Sequence, residues 1–151
     1  MLYGILLFII GLDQFTKHLA IKYLKDNEPL VLIKNFLKLS YVENYGAAFG
    51  IMQNKKYFFV ITTLFVVIIL TAFLKKNFYH ISKLMKLSSV MLLAGAIGNF
   101  IDRIRLSYVI DFVSIRFSNG YEFPVFNVAD SFIVISTLLI IIMILFNKYE
   151  A

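Results

Sequence analysis

Four aspartates, Asp13, Asp102, Asp111 and Asp130, lie in or at the edges of apolar stretches that read as membrane helices, and only Asp26 lies elsewhere. An Asp at the middle of a membrane helix is unfavourable by roughly 2.5–3.5 kcal/mol, so carboxylates kept there point to a site. Asp130 follows Phe126-Asn127-Val128-Ala129 at the start of an apolar run. Asn127 suits an N-cap there and Asp130 the N3 position, where an acid complements the helix dipole. Val109-Ile110-Asp111-Phe112 supplies a second carboxylate among apolar neighbours. Two acids brought together in a dry site cannot both ionise freely, which leaves an acid beside a base sharing one proton. Such a pair can activate a water and protonate a leaving amine. No other nucleophile system competes, since the chain has no Cys, no Gly-x-Ser-x-Gly elbow and no His-Glu-x-x-His helix.

The remaining constellations have structural readings as well. Asp13 and Lys17 stand at i and i+4 on one helix face, the spacing of a structural ion pair that neutralises both charges. Asn44-Tyr45-Gly46-Ala47-Ala48-Phe49-Gly50 is either a turn into a helix or a loop whose small residues let backbone approach a substrate. In Gly95-Ala96-Ile97-Gly98-Asn99-Phe100-Ile101-Asp102-Arg103, small residues make a smooth face for close helix packing. Asn99, Asp102 and Arg103 follow as a polar stripe at i, i+3 and i+4, with Arg103 expected to pair with a carboxylate.

The elements that must position these groups are helices in a bilayer. The 151 residues are 60% hydrophobic with a mean hydropathy of +0.82, more apolar than a soluble domain allows. Four stretches approach the ~20 apolar residues that a span needs: 2–23, 57–74, 84–101 and 125–146. One membrane-embedded domain, residues 1–151, accounts for nearly the whole chain. The first stretch has no basic start, carries Asp13 and Lys17, and lacks a small-residue cleavage pattern, so it does not read as a cleavable signal peptide. Without Cys, and with His18 and His80 far apart, neither a metal nor another cofactor is expected. The net charge of +6 fits an anionic membrane surface, and the lysines lack the aromatic interleaving that single-stranded nucleic acid needs.

Between the first two helices, residues 25–56 form a polar stretch. Leu30-Val31-Leu32-Ile33 and the alternating Phe36–Val42 predict a β-hairpin or curved ribbon at the bilayer surface. Asn119-Gly120 predicts a two-residue type I′ turn. In that register Ser118 faces Tyr121 and Asp111 faces Val128, folding Asp111 toward Asp130. An even number of helices puts both termini on one side. By raw count the first and third connections carry more Lys and Arg than the second connection plus the termini. By density the second connection leads, with Lys75, Lys76, Lys83 and Lys86 in twelve residues and no acid, which favours cytoplasmic termini. Two non-proteolytic readings remain: a proton or cation relay through Asp13, Asp102 and Asp130, or an assembly subunit with structural ion pairs.

Taken together, Asp-x-x-Thr-Lys (13–17), Asn-x-Gly-x-Ala-Phe (44–49), Gly-x-x-Gly-Asn-x-x-Asp-Arg (95–103), Val-x-Asp-Phe (109–112) and Phe-Asn-x-Ala-Asp (126–130) resemble the lipoprotein signal peptidases of bacteria, signal peptidase II. The motifs occur in that family's order and spacing. One departure is Ala94, where the family often has a glycine. The resemblance implies an aspartyl endopeptidase of the bacterial cytoplasmic membrane, which removes the signal peptide of prolipoproteins just before the diacylglyceryl-modified cysteine. It implies Asp111 and Asp130 as catalytic pair, with Asn44, Gly46, Asn99, Asp102, Arg103 and Asn127 in supporting or substrate-binding roles. It implies cytoplasmic termini, a site near the outer face and a monomer in contact with membrane lipids. Globomycin-type peptide inhibitors are expected to bind at the pair. The fold expected is an all-α integral membrane protein of four transmembrane helices with a small extracytoplasmic β-ribbon or hairpin.

Overall fold

The computed structural model describes residues 2–46 and 55–150. Its elements in order are α1 (Leu2–Leu24), β1 (Leu30–Ile33), β2 (Leu37–Asn44), α2 (Lys56–Asn77), α3 (Lys83–Leu106), β3 (Val109–Ile115) and α4 (Val128–Leu145). All four helices are long and apolar enough to cross a membrane. α3 is central and packs against α1, α2 and α4. Phe8, Phe65, Ile68, Leu138 and Leu145 are exposed, which suits helices whose solvent is hydrocarbon. α2 buries none of its residues.

Local chemistry sets the helix ends. Ser82 caps α3, its Oγ accepting from the Met85 N–H, and Ser107 stops it in the left-handed region at φ 76°. No breaker stands before Ser107, so α3 runs past residue 101. α4 begins at Val128 rather than 125, because Asn127 and Asp130 form a reciprocal capping box there. Val125 and Phe126 belong instead to the arm that returns along β3.

The small sheet has the antiparallel order β1-β2-β3. β1 pairs with β2 through a tight connection at Lys34-Asn35-Phe36, where Asn35 takes φ 60°. β2 then pairs with β3, setting Val42 opposite Asp111 and Asn44 opposite Val109. That second pairing joins residues 65 to 78 positions apart and has no signal in either strand alone.

The Asn119-Gly120 turn differs from its expected form. Phe117 and Tyr121 close a three-residue loop, Phe117 N–H donating to Tyr121 O at 2.8 Å and Gly120 N–H to Phe117 O at 2.9 Å. A type I′ turn needs positive φ at both central residues, and only Gly120 has it, at +84°. The Asn119 side chain instead accepts from the Tyr121 N–H at 3.0 Å. Near the turn, Arg116 therefore pairs with Glu122, one residue off the expected register, whereas Val113 pairs with Phe126, on it. The slip is absorbed across Pro124, which lacks a backbone donor.

Candidate functional site

Asp111, on β3, and Asp130, in the first turn of α4, line one cleft of about 460 Å³ together with Asn44, Gly46, Asn99 and Arg103. Phe126, Ile133 and Val134 supply apolar wall to the same cleft. Each of the four carboxylate oxygens accepts one N–H. Asn127 Nδ2 donates to Asp111 Oδ1 at 2.7 Å and Asn44 Nδ2 to Asp111 Oδ2 at 2.9 Å. Asn99 Nδ2 donates to Asp130 Oδ1 at 2.7 Å and the Asn127 backbone N–H to Asp130 Oδ2 at 3.1 Å. One further lone pair on each oxygen is left for a proton or a water.

An amide can turn either face to its neighbour, so what fixes these three matters. Asn44 Oδ1 accepts from the Gly46 N–H at 3.0 Å, and Asn127 Oδ1 accepts from the Asp130 N–H at 2.9 Å. Asn99 Oδ1 accepts from Lys17 Nζ at 2.9 Å. An ammonium or a backbone N–H can only donate, so each Asn is compelled to present its NH2 to a carboxylate.

Lys17 itself is 2% exposed and spends its three donors on Asp13 Oδ2 (2.9 Å), Asp102 Oδ2 (2.8 Å) and Asn99 Oδ1. The i,i+4 pair with Asp13 is thus half of a larger knot. Asp13 Oδ1 also accepts from the Ala129 N–H at 3.0 Å, satisfying a free donor at the start of α4. The α1 carboxylate thereby locates the helix that carries Asp130. Neither link is readable from Asp13-x-x-x-Lys17 alone.

Asp102 turns away from the Asp111–Asp130 cleft. Its oxygens accept from Gln14 Nε2 at 2.9 Å, from Lys17 and from the Ile110 N–H at 3.2 Å, the last fixing the start of β3. Gln14 carried no expectation, because a Gln beside an Asp gives no spacing signal. Arg103 departs from the carboxylate pairing expected for it. Among the described residues no carboxylate lies within ion-pairing distance. Its guanidinium reaches the Gly46 carbonyl at 3.5 Å and lies 4.9 Å from the Phe59 ring centroid. The guanidinium therefore stays on the cleft wall with donors to spare.

Gly95 and Gly98 permit this convergence. A Cβ on Gly95 would stand 2.6 Å from Ala129 O, and one on Gly98 would stand 2.6 Å from Asp13 Oδ2. At the mouth of the cleft, Glu43 accepts from Tyr41 at 3.1 Å and from Tyr45 at 2.8 Å, while the Tyr45 and Tyr108 rings sit 5.2 Å apart. This cluster braces the strand end that carries Asn44. Ala47, Ala48, Phe49 and Gly50 lie outside the described residues.

Burial pushes the Asp111 carboxyl up to about 7. The nearby Asp130 charge adds to the shift and the Asn44 and Asn127 hydrogen bonds oppose it. Among the described residues, no group of three His, Cys, Asp or Glu side chains could hold a metal ion.

The chain matches a family model described as signal peptidase (SPase) II over residues 5–146. It is 47% identical over 144 residues to a lipoprotein signal peptidase of Caldanaerobacter subterraneus subsp. tengcongensis, covering 95% of this chain and 94% of the relative. A lipoprotein signal peptidase of Clostridium tetani is 41% identical over 143 residues, covering 93% and 91%. A solved bacterial membrane enzyme, 37% identical, superposes with a TM-score of 0.87 over 95% of this chain and 87% of its own. Matched over nearly its whole length by that family model and by these relatives, the chain belongs to the signal peptidase II family.

Proposed function

We propose that this protein removes the signal peptide of prolipoproteins by cutting N-terminal to the diacylglyceryl-modified cysteine, with Asp111 and Asp130 as its catalytic pair. The observation that carries the assignment is that these two carboxylates face one half-apolar cleft with one fixed donor on each oxygen. In the singly protonated pair, the ionised carboxylate takes a proton from a water that attacks the scissile carbonyl carbon. The protonated partner gives its proton to the carbonyl oxygen, forming a gem-diol. The carboxyl that took the water proton then passes it to the amide nitrogen while the other carboxylate takes a proton back from a gem-diol hydroxyl, which breaks the C–N bond, frees the new amino terminus and restores the singly protonated pair.

Asn44, Asn99 and Asn127 hold the carboxylates in register, and their fixed donors demand no reorganisation during reaction. Arg103, with spare donors beside the Gly46 carbonyl, aligns the substrate backbone. Asp102 acts through Lys17 and Ile110, supporting the site without touching substrate. The signal helix lies in the bilayer against the apolar wall, its lipid chains still in the membrane, while the sheet rests at the surface. In this reading the chain is one membrane-embedded domain, a monomer, with both termini cytoplasmic and the pair near the outer face. Globomycin-type peptides occupy the same cleft.

The test is cleavage of a diacylglyceryl-modified precursor by the purified protein in detergent, with no ion gradient. One product boundary just before the modified cysteine is expected. Equal cleavage of the unmodified precursor, or none of the modified one, would overturn the reading.

A further inference from the structure

The cleft between α1 and α2, at the end opposite the carboxylate pair, belongs to no step of the peptidase reaction. α1 and α2 both pack against α3, and the start of α1 and the end of α2 flank a gap. The gap left there has a volume of about 620 Å³. Its walls are Leu6 of α1 and Leu74 of α2, and its floor is Val90 and Leu93 of α3. The one hydroxyl in the α2 wall, Thr71, is satisfied by its own helix, donating to Val67 O at 2.7 Å. A slot lined in this way suits hydrocarbon better than water.

Its mouth has a different character. Lys75 lines it, and Lys86 is held above the ring of Phe78, another lining residue, at 4.8 Å from the centroid. Lys76 and Lys83 stand in the same connection, and none of these four lysines has an ion-pair partner among the described residues. The nearest acid by topology is Glu150, whose backbone bridges to Ile81. The tyrosines at positions 3 and 79, 84% and 87% exposed, line the same cleft and add hydroxyl donors.

From this we infer that the α1–α2 cleft is a binding site for an anionic glycerophospholipid, one acyl chain lying along Leu6, Leu74 and Leu93 and the phosphate held between Lys75 and Lys86. A basic mouth over an apolar slot between membrane helices selects charge as well as chain. Occupancy gives the otherwise unburied α2 a fixed place against α1, so bound lipid also stabilises the bundle.

Native mass spectrometry of the full-length protein in mild detergent, titrated with phosphatidylglycerol or phosphatidylcholine, tests the site. One retained phosphatidylglycerol is expected, with phosphatidylcholine bound far more weakly. Lys75→Gln and Lys86→Gln should each weaken retention about fivefold, and together about thirtyfold. The control pair Lys34→Gln/Lys38→Gln, in the β1–β2 connection and on β2, should leave it unchanged. Leu6→Trp, which puts a bulkier ring into the acyl path, should weaken retention while the protein still melts cooperatively. Equal retention of the two lipids, or equal losses in the cleft and control pairs, would overturn the assignment.

Discussion

Replacing Lys17 by Met removes the cation at the centre of the buried knot and leaves its stem volume nearly unchanged. Asp13 and Asp102 lose contacts of 2.9 and 2.8 Å to the same ammonium, and both carboxylates remain buried, at 0% and 3% exposed. Removing one partner of a buried ion pair is destabilising by about 3–5 kcal/mol, because the other charge stays unpaired in a poor solvent for it. For a chain of this size, that corresponds to a fall in Tm of about 6–20 °C. The loss should be partly relieved in Lys17→Met/Asp102→Asn, which deletes one of the two stranded charges, so the two substitutions should be strongly non-additive. Differential scanning fluorimetry in detergent, at a fixed scan rate, reads all of these. Activity should fall further than stability explains, since Asn99 loses the donor that holds its amide toward Asp130. If Lys17→Met melts within about 2 °C of wild type, equivalent to under about 1 kcal/mol, the knot does not hold the bundle together and the reasoning fails.

The Asp111 carboxyl stands at about 7 against an ordinary 3.8, so the folded protein keeps a proton that the unfolded chain releases between those values. Stability is therefore fully present below about pH 4 and declines as pH rises through about 7, and Asp111→Asn should flatten that decline in a pH series of melts. By the same proton, kcat/KM should drop about tenfold per unit above roughly pH 7 as the pair loses its shared acid. Gly95→Ala drives a Cβ to 2.6 Å from the Ala129 carbonyl and 2.8 Å from Ile133 Cγ1, and should destabilise by about 1–3 kcal/mol in the same melts. Gly4→Ala meets nothing within 4 Å and should be neutral or slightly stabilising. Asn44→Ala deletes the donor on Asp111 Oδ2, a charge-assisted hydrogen bond of about 1.5–3 kcal/mol, and should lower kcat/KM by about 10–100-fold and Tm by about 3–12 °C.

What could be read from the residues was whatever repeats at short range. Four apolar stretches announce four helices because hydrocarbon demands continuous apolar length, and Asn127 three residues before Asp130 announces a cap because its partners lie within one turn. The Asp13–Lys17 contact was legible for the same reason, as a single helical turn. Contacts made across the fold were not. Lys17 to Asn99 spans 82 positions and Asp13 to Ala129 spans 116, and no local pattern encodes which face of α3 or α4 meets α1. Arg103 illustrates the limit from the other side. Its sequence neighbours suggested a carboxylate, but Asp102 meets Gln14 and Lys17 of α1, and the guanidinium turns to the Gly46 carbonyl and the Phe59 ring. The hairpin after β3 shows how a small local choice propagates: the Asn119 side chain favours a three-residue loop, and Pro124 restores the pairing that brings Phe126 to Val113.

The most direct measurement is single-turnover cleavage of a diacylglyceryl-modified precursor by purified wild type, Asp111→Asn, Asp130→Asn and Asp102→Asn, each shown by melting to be folded. Loss of a carboxylate that transfers protons should lower the rate by at least ~10²–10⁴ in the first two variants, while Asp102→Asn keeps partial activity. Normal cleavage by folded Asp111→Asn or Asp130→Asn would contradict the account.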